Sequence, residues 1–432
     1  MAEILPFHGY RFRAEAAGDA ARLIAPPYDV IDPALRDTLW RLSPYNISRV
    51  TRADRDEKAP NPYDAAGRLW AEWLDKKILA KDPQPALYVY EQRFEIHGRR
   101  LNRTALIARV RLKPHGEGVL PHESTLSGPR ADRLLLMRAT ETQFGQIFGL
   151  YQDPAAEVDA LLETVKRRPP TTQASDRQDL LHRLWSVTDE ATIARITQLM
   201  ESKDILIADG HHRYETSLAY MAEHPENEAA KWRIMALVNT GNPGLVILPI
   251  HRGVKNVAGF KPQEFLAKLR KQFDIKTYPG DTAAAREAAL AEIREQQAAG
   301  RNAFVLQMND DDHRAIILRD PRAMEIVQGR SDAWRRLDVA VLHHLVLEPL
   351  LGITAERLAA ESNIEYIHDF PHSIEEAAAR VRSGAVQALF LLNATRAGEV
   401  QAVARNSEKM PQKSTFFYPK MYTGMVVYRM KD

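Results

Sequence analysis

The chain has no cysteine, which removes disulfides, thiolate nucleophiles and cysteine-ligated zinc together. Any metal would need His, Asp or Glu as ligands. It has no uninterrupted apolar run long enough to cross a bilayer, and its first residues, MAEILPFHGYRFRAEAAG, lack the layout of a signal peptide. The expectation is a cytoplasmic protein without a membrane partner. A surplus of charge of one sign is also missing, because 59 Lys and Arg stand against 57 Asp and Glu and leave a formal net charge of +2. That balance gives no global attraction to nucleic acid, so nucleic acid is not an expected partner. No internal repeat, low-complexity tract or G-x-S-x-G nucleophile elbow occurs. With the thiol gone as well, hydrolysis through a covalent intermediate loses its usual nucleophiles.

What is present is an ordinary globular composition, with 45% hydrophobic and 27% charged residues over 432 positions. At roughly 150 residues per domain, that length suggests two or three compact units. Self-association into a homo-oligomer is compatible with it. The pattern of short apolar runs and amphipathic stretches predicts an α/β (α+β) protein with mixed sheets.

The best-defined stretch is residues 204–224, DILIADGHHRYETSLAYMAEH. A β-branched run at Ile205, Leu206 and Ile207 breaks at Asp209-Gly210 and restarts with helical spacing through Leu218 and Met221. Strand, tight turn and helix aim backbone N–H groups at one point, which suits an anion, and Arg213 adds a cationic fork. The reading is a nucleotide-phosphate loop in which Gly210, His211, His212 and Arg213 bind phosphate. Two alternatives stay open: a metal site using Asp209 with one histidine, and a plain helix start with solvent-facing histidines. Adjacent histidines point about 100° apart on a helix and rarely chelate together.

Other stretches carry ionisable groups in exposed-looking positions. Residues 25–32 hold Pro26-Pro27 and present Tyr28 and Asp29 on an extended loop. Residues 113–128, KPHGEGVLPHESTLSG, carry His122 and Glu123 before a helix over 130–138. A hairpin turning at His97-Gly98 precedes them. Strands are expected at 143–151, 232–238 and 245–250, the last ending in His251-Arg252, and helices at 65–79, 155–166 and 191–200. Trp70 and Trp73 read as core. Further on, 303–308 and 315–318 read as a hairpin around Asp310-Asp311-Asp312, residues 338–351 as a buried helix with His343 and His344 packed rather than ligating metal, and 388–394 as a strand.

Near the C-terminus, MPQKSTFFYPK places Lys413, Ser414, Thr415 and Lys420 within eight residues. It lacks the glycines of a Walker motif, yet a lysine beside hydroxyls can neutralise phosphate. These residues and Arg252 are expected to assist phosphate binding. Glu123, His122 and Asp209 are the candidate proton-transfer groups. No direct protein metal site is expected, and Mg²⁺ would arrive with ADP or ATP. The domain reading is 1–255 for the phosphate-binding region, 256–400 for a second α/β region, and 401–432 for a segment returning to the cleft.

The blocks APPYDVI, VLPHESTLSGPRADRLLLMRAT, IFGLY, ADGHHRYETSL, LPIHR and MPQKSTFFYPK resemble the family of conserved proteins called domain of unknown function 1015. The ADGHHR block also resembles the phosphate loop of the ParB and sulfiredoxin superfamily, which includes the ADP-dependent free serine kinases. That resemblance implies a nucleotide phosphate over Gly210 to Arg213, with Glu123 or Asp29 as base. The expected function is therefore a nucleotide-dependent phosphotransferase acting on a small hydroxylated metabolite such as serine. A nucleotide-binding regulatory or DNA-associated ParB-like module, and a metal-dependent phosphatase or nuclease, are the alternatives.

Overall fold

The computed structural model of the chain describes residues 1–123, 127–310 and 312–431. They form a mixed α/β structure of two compact units: residues 1–246 with 419–432, and residues 247–418. The first boundary falls before residue 255 for a physical reason. The strand Ile250–Val254, with His251 and Arg252, pairs with Ile364–His368 and Ala388–Leu392 in the second unit's sheet. His251 and Arg252, read as the end of a strand at 245–250, thus lie in the second unit's sheet. The C-terminal segment divides as well, since only its final 14 residues belong to the first unit.

Among the described residues, nine strands build the first unit's sheet. Its centre is a long hairpin, Leu87–Ile96 and Arg99–Arg111. His97 and Gly98 turn it with φ of 48° and 70°, the positive pair that a two-residue turn of matching twist requires. Trp232–Asn239 pairs antiparallel with the hairpin and parallel with Ile147–Tyr151. Beyond that lies the strand Ile205–Asp209, hereafter the loop strand, which is antiparallel to Ile147–Tyr151 and parallel to Val119–Leu120. Val89, Leu106, Ile147, Ile205 and Met235 pack with Val158, Leu162, Ile196 and Tyr214 in one core cluster. A second cluster joins Trp70 and Trp73 to Ile47, Leu136, Phe144 and Val427.

The second unit holds a six-stranded sheet with helices such as Ala283–Ala298 and Ser373–Arg382. Ala303–Gln307 and His313–Leu318 form its expected hairpin, of whose acidic turn Asp311 lies outside the described residues. The helix over 338–351 contains a π turn at His343–Leu347. Among the described residues no helix is long and apolar enough to cross a membrane.

Candidate functional site

Four buried residues carry the loop strand into the sheet. Its pairing with Ile147–Tyr151 shifts register between Ile207 and Asp209, and such a bulge bends a strand end and re-aims a side chain. Gly210 follows with φ 99° and ψ 29°, in the left-handed region. A Cβ there would lie 2.9 Å from the Arg213 guanidinium, so glycine is required both by the turn and by the arginine folded back over it. The helix His211–Glu223, hereafter the loop helix, starts at once and buries His211, Arg213, Tyr214, Thr216, Ser217 and Tyr220.

Asp209 is the electrostatic centre of this turn. Its Oδ2 accepts from Arg213 Nη2 at 2.6 Å, and its Oδ1 accepts from Lys420 Nζ at 2.5 Å. Burial pushes the carboxyl up, but Lys420 and Arg213 prevail and hold it well below the usual carboxylate range. Arg213 also donates through Nη1 to the Gln146 carbonyl. Lys420 is set by the centre of the sheet: Gln92 donates to the Lys420 carbonyl at 3.0 Å, and Arg103 donates to the Pro419 carbonyl. Arg103 in turn lies over the Phe148 ring at 4.6 Å.

His122 and His211 form a second group. The His122 backbone N–H donates to His211 Nε2 at 3.2 Å, and the rings meet edge to face at 4.7 Å. An accepting Nε2 puts the proton of neutral His211 on Nδ1, and Nδ1 is 3.7 Å from the Glu123 carboxylate. His122 Nδ1 lies 2.6 Å from the Ile207 carbonyl, so it is the protonated nitrogen. Glu123 is 44% exposed, whereas His211 is 4% exposed. His212 is pushed down by burial, against the pull of Glu215 and Asp29. The Pro26-Pro27 loop thus lies near enough to the loop helix for Asp29 to be felt there.

Asp209, Gly210, His211, His212, Arg213, His122, Glu123 and Lys420 all belong to the first unit, as do Tyr28 and Asp29. Arg252, Lys413, Ser414 and Thr415 belong to the second. There Arg252 lies 4.7 Å over Tyr366 and donates to the Lys413 carbonyl at 2.8 Å, while Lys413 Nζ is 5.9 Å from the same ring. Ser414 donates to the Pro411 carbonyl. The sequence reading joined Lys413, Ser414 and Thr415 to the loop as neighbours of Lys420, and Arg252 as the end of the strand expected at 245–250; in the structure Arg252 and Lys413 contact each other within the second unit. Among the described residues the group suited to a metal is His343, His344 and Glu348, also in the second unit.

The sequence reading missed Arg133, Arg233 and Thr423, which line a cavity with Tyr28 and Arg213. Arg233 had a visible signal, as the single charge in the apolar run WRIMALV.

Fold and loop define a mixed α/β protein with a cation-rich strand–glycine–helix turn. The chain belongs to the family described as protein of unknown function, domain of unknown function 1015, whose model matches residues 4–340. No curated protein matches it. Among solved structures it is similar to a free serine kinase in complex with AMP, at 13% identity, with 72% of this chain and 86% of that chain covered and a TM-score of 0.34. A mutant free serine kinase in complex with ADP gives 13%, 72%, 87% and 0.35. A conserved hypothetical protein from Pyrococcus furiosus gives 14%, 76%, 96% and 0.33.

Proposed function

We propose that this protein is a nucleotide-dependent phosphotransferase acting on a small hydroxylated metabolite, with serine the first candidate. One observation carries the reading: two cations, Arg213 and Lys420, converge on one carboxylate, Asp209, at the start of the loop helix. Both cations stand where the helix dipole is already positive. An oxyanion of a nucleotide phosphate suits that place. The ParB-like character of the ADGHHR block belongs to the same proposal.

In this reading the amides of Gly210 to Arg213 receive phosphate oxygens, Lys420 neutralises charge as it moves between oxygens, and Asp209 positions both cations. Asp209 is too firmly ionised to serve as a proton carrier at neutral pH. Glu123 takes the hydroxyl proton of the acceptor while that oxygen bonds to phosphorus and the bridging oxygen of the nucleotide leaves. His211, oriented by the His122 amide, directs its Nδ1–H toward Glu123 and keeps the carboxylate in place. Phosphoryl transfer gains most from positioning and charge neutralisation. Mg²⁺ would come bound to ADP or ATP, without a dedicated protein cage.

The test is product formation. With Mg²⁺, L-serine and either ADP or ATP, phosphorus NMR should show a phosphate monoester of serine. Glu123→Gln should slow turnover by roughly 100-fold or more, as expected for loss of a general base, with little change in nucleotide KM. Nucleotide binding without product would favour the regulatory ParB-like reading. Unchanged turnover in Glu123→Gln would remove Glu123 from the chemistry.

A further inference from the structure

Beside the loop helix, within the first unit, lies a cavity of about 60 Å³ in water-sized space, room for a small ligand since one water needs roughly 10–15 Å³ by that measure. Pro27, Leu136, Met137 and Phe144 give it apolar walls, and three arginines enter it: Arg133, Arg213 and Arg233. Two of them have a carboxylate partner. Arg133 pairs with Asp132 at 2.9 Å through Nε, and Arg213 pairs with Asp209.

Arg233 is the exception. Its side chain is 2% exposed, it donates to the Gly145 carbonyl, and its Nε has no hydrogen-bond partner among the described residues. No carboxylate among those residues forms an ion pair with it. Burial, reinforced by the nearby Arg213 charge, pulls it down to about 9. An arginine enclosed in a protein without a counter-charge is unfavourable unless an anion completes it. Two residues that carry hydroxyls, Tyr28 and Thr423, line the same cavity.

We infer that this cavity is a binding site for a small carboxylate, with Arg233 as its counter-ion and the Tyr28 and Thr423 hydroxyls as donors. Of the three arginines, Arg233 is the one without a carboxylate partner among the described residues, and a bound carboxylate would supply it. A planar carboxylate also fits the two-pronged donor face of a guanidinium. Identifying that carboxylate as part of the phosphoryl acceptor rests on the proposed function. The anion site itself stands on Arg233 alone, and it separates the acceptor from the nucleotide phosphate at Lys420.

The experiment is a titration of the full-length protein, followed by melting temperature and calorimetry, with L-serine, acetate, L-serinamide and inorganic phosphate. L-serine and acetate should raise the wild-type melting temperature saturably and serinamide should not, while any shift with phosphate should survive in Arg233→Met. Arg233→Met should weaken carboxylate binding by about tenfold or more, since a charged hydrogen-bond partner is lost, while the ligand-free melting temperature stays level or rises. The ADP-dependent shift should survive in Arg233→Met, so failure here differs from failure of the nucleotide site. The inference falls if no carboxylate shifts the wild type, if serinamide matches L-serine, or if Arg233→Met binds L-serine and acetate as well as wild type. Should Arg233→Met not fold, the wild-type comparison of L-serine with serinamide decides alone.

Discussion

Asp209 shows how a single residue's environment chooses its role. Left to burial alone, the carboxyl would be harder to ionise; with Lys420 and Arg213 against it, the charge is fixed. Its folded pKa lies below its unfolded value, so it stabilises the protein above about pH 4, and the contribution is lost only as the pH falls through the depressed folded value. Asp209→Asn should remove this at neutral pH and leave two mostly buried cations facing each other. A loss of about 3 kcal/mol is expected, read from the urea midpoint. Asp338, in the second unit, has the opposite sign. Burial lifts it to about 7, although Asn302 donates to it at 2.7 Å. The folded protein then holds a proton that the unfolded chain has released, so stability falls as pH rises from about 4 to about 7 and levels off above. Asp338→Asn should flatten that decline and raise the urea midpoint at pH 8; an unchanged slope would show that Asp338 is already ionised. At this scale the sequence made Asp209, His211 and Arg213 visible because they cluster in one motif. It hid Arg233, whose importance lies in partners it lacks, and it left open whether Asp209 carries protons or holds cations.

The turn between loop strand and loop helix was legible because its signals are local: a β-branched run, a glycine, then helical spacing. The hairpin at His97-Gly98 was legible for the same reason. Other strands were not, among them Leu181–Val187 and Phe273–Tyr278. Leu181–Val187 contains His182 and Arg183, and Phe273–Tyr278 alternates with Asp274 and Lys276, so neither presents a clear apolar run, and their pairing partners are distant in sequence. Residues 143–151 read as one strand, yet the structure divides them into Thr142–Gln143 and Ile147–Tyr151. The break frees the Gly145 and Gln146 carbonyls to accept from Arg233 and Arg213. Gly210→Ala tests the turn. A side chain at φ 99° is strained, and its Cβ would collide with Arg213; the expected cost is roughly 1–2 kcal/mol from the backbone plus displacement of the arginine. Both the melting temperature and any nucleotide-dependent shift should drop. Preservation of both would mean that the turn relaxes without consequence for binding.

Over the whole chain, the first unit is closed by residues that come last. Tyr428–Arg429 pairs with Thr142–Gln143, Val427 bridges to Tyr10, and Thr423 bridges to Ala25. Met421, Met425, Val426, Val427 and Met430 are all buried. At about 1.5–3 kcal/mol for each buried apolar side chain, their loss rivals the 5–15 kcal/mol that typically holds a domain folded. A chain ending at Tyr418 should therefore lose the cooperative melting of its first unit in circular dichroism, even though it keeps every residue of the Asp209-Gly210-His211-His212-Arg213 motif. That the first unit takes up the chain again at Pro419 was not legible in the sequence, because the contacts that hold it there come from Gln92 and Arg103, more than 300 positions earlier.

The nucleotide site is most directly tested by calorimetry of ADP and ATP, with Mg²⁺, on wild type and Lys420→Ala. Wild type should bind at least one of the two, and Lys420→Ala, which removes a charged phosphate partner but leaves Arg213 on Asp209, should bind roughly 10-fold or more weakly. Absence of binding to wild type, or equal affinity in Lys420→Ala, would contradict a phosphate site at the start of the loop helix.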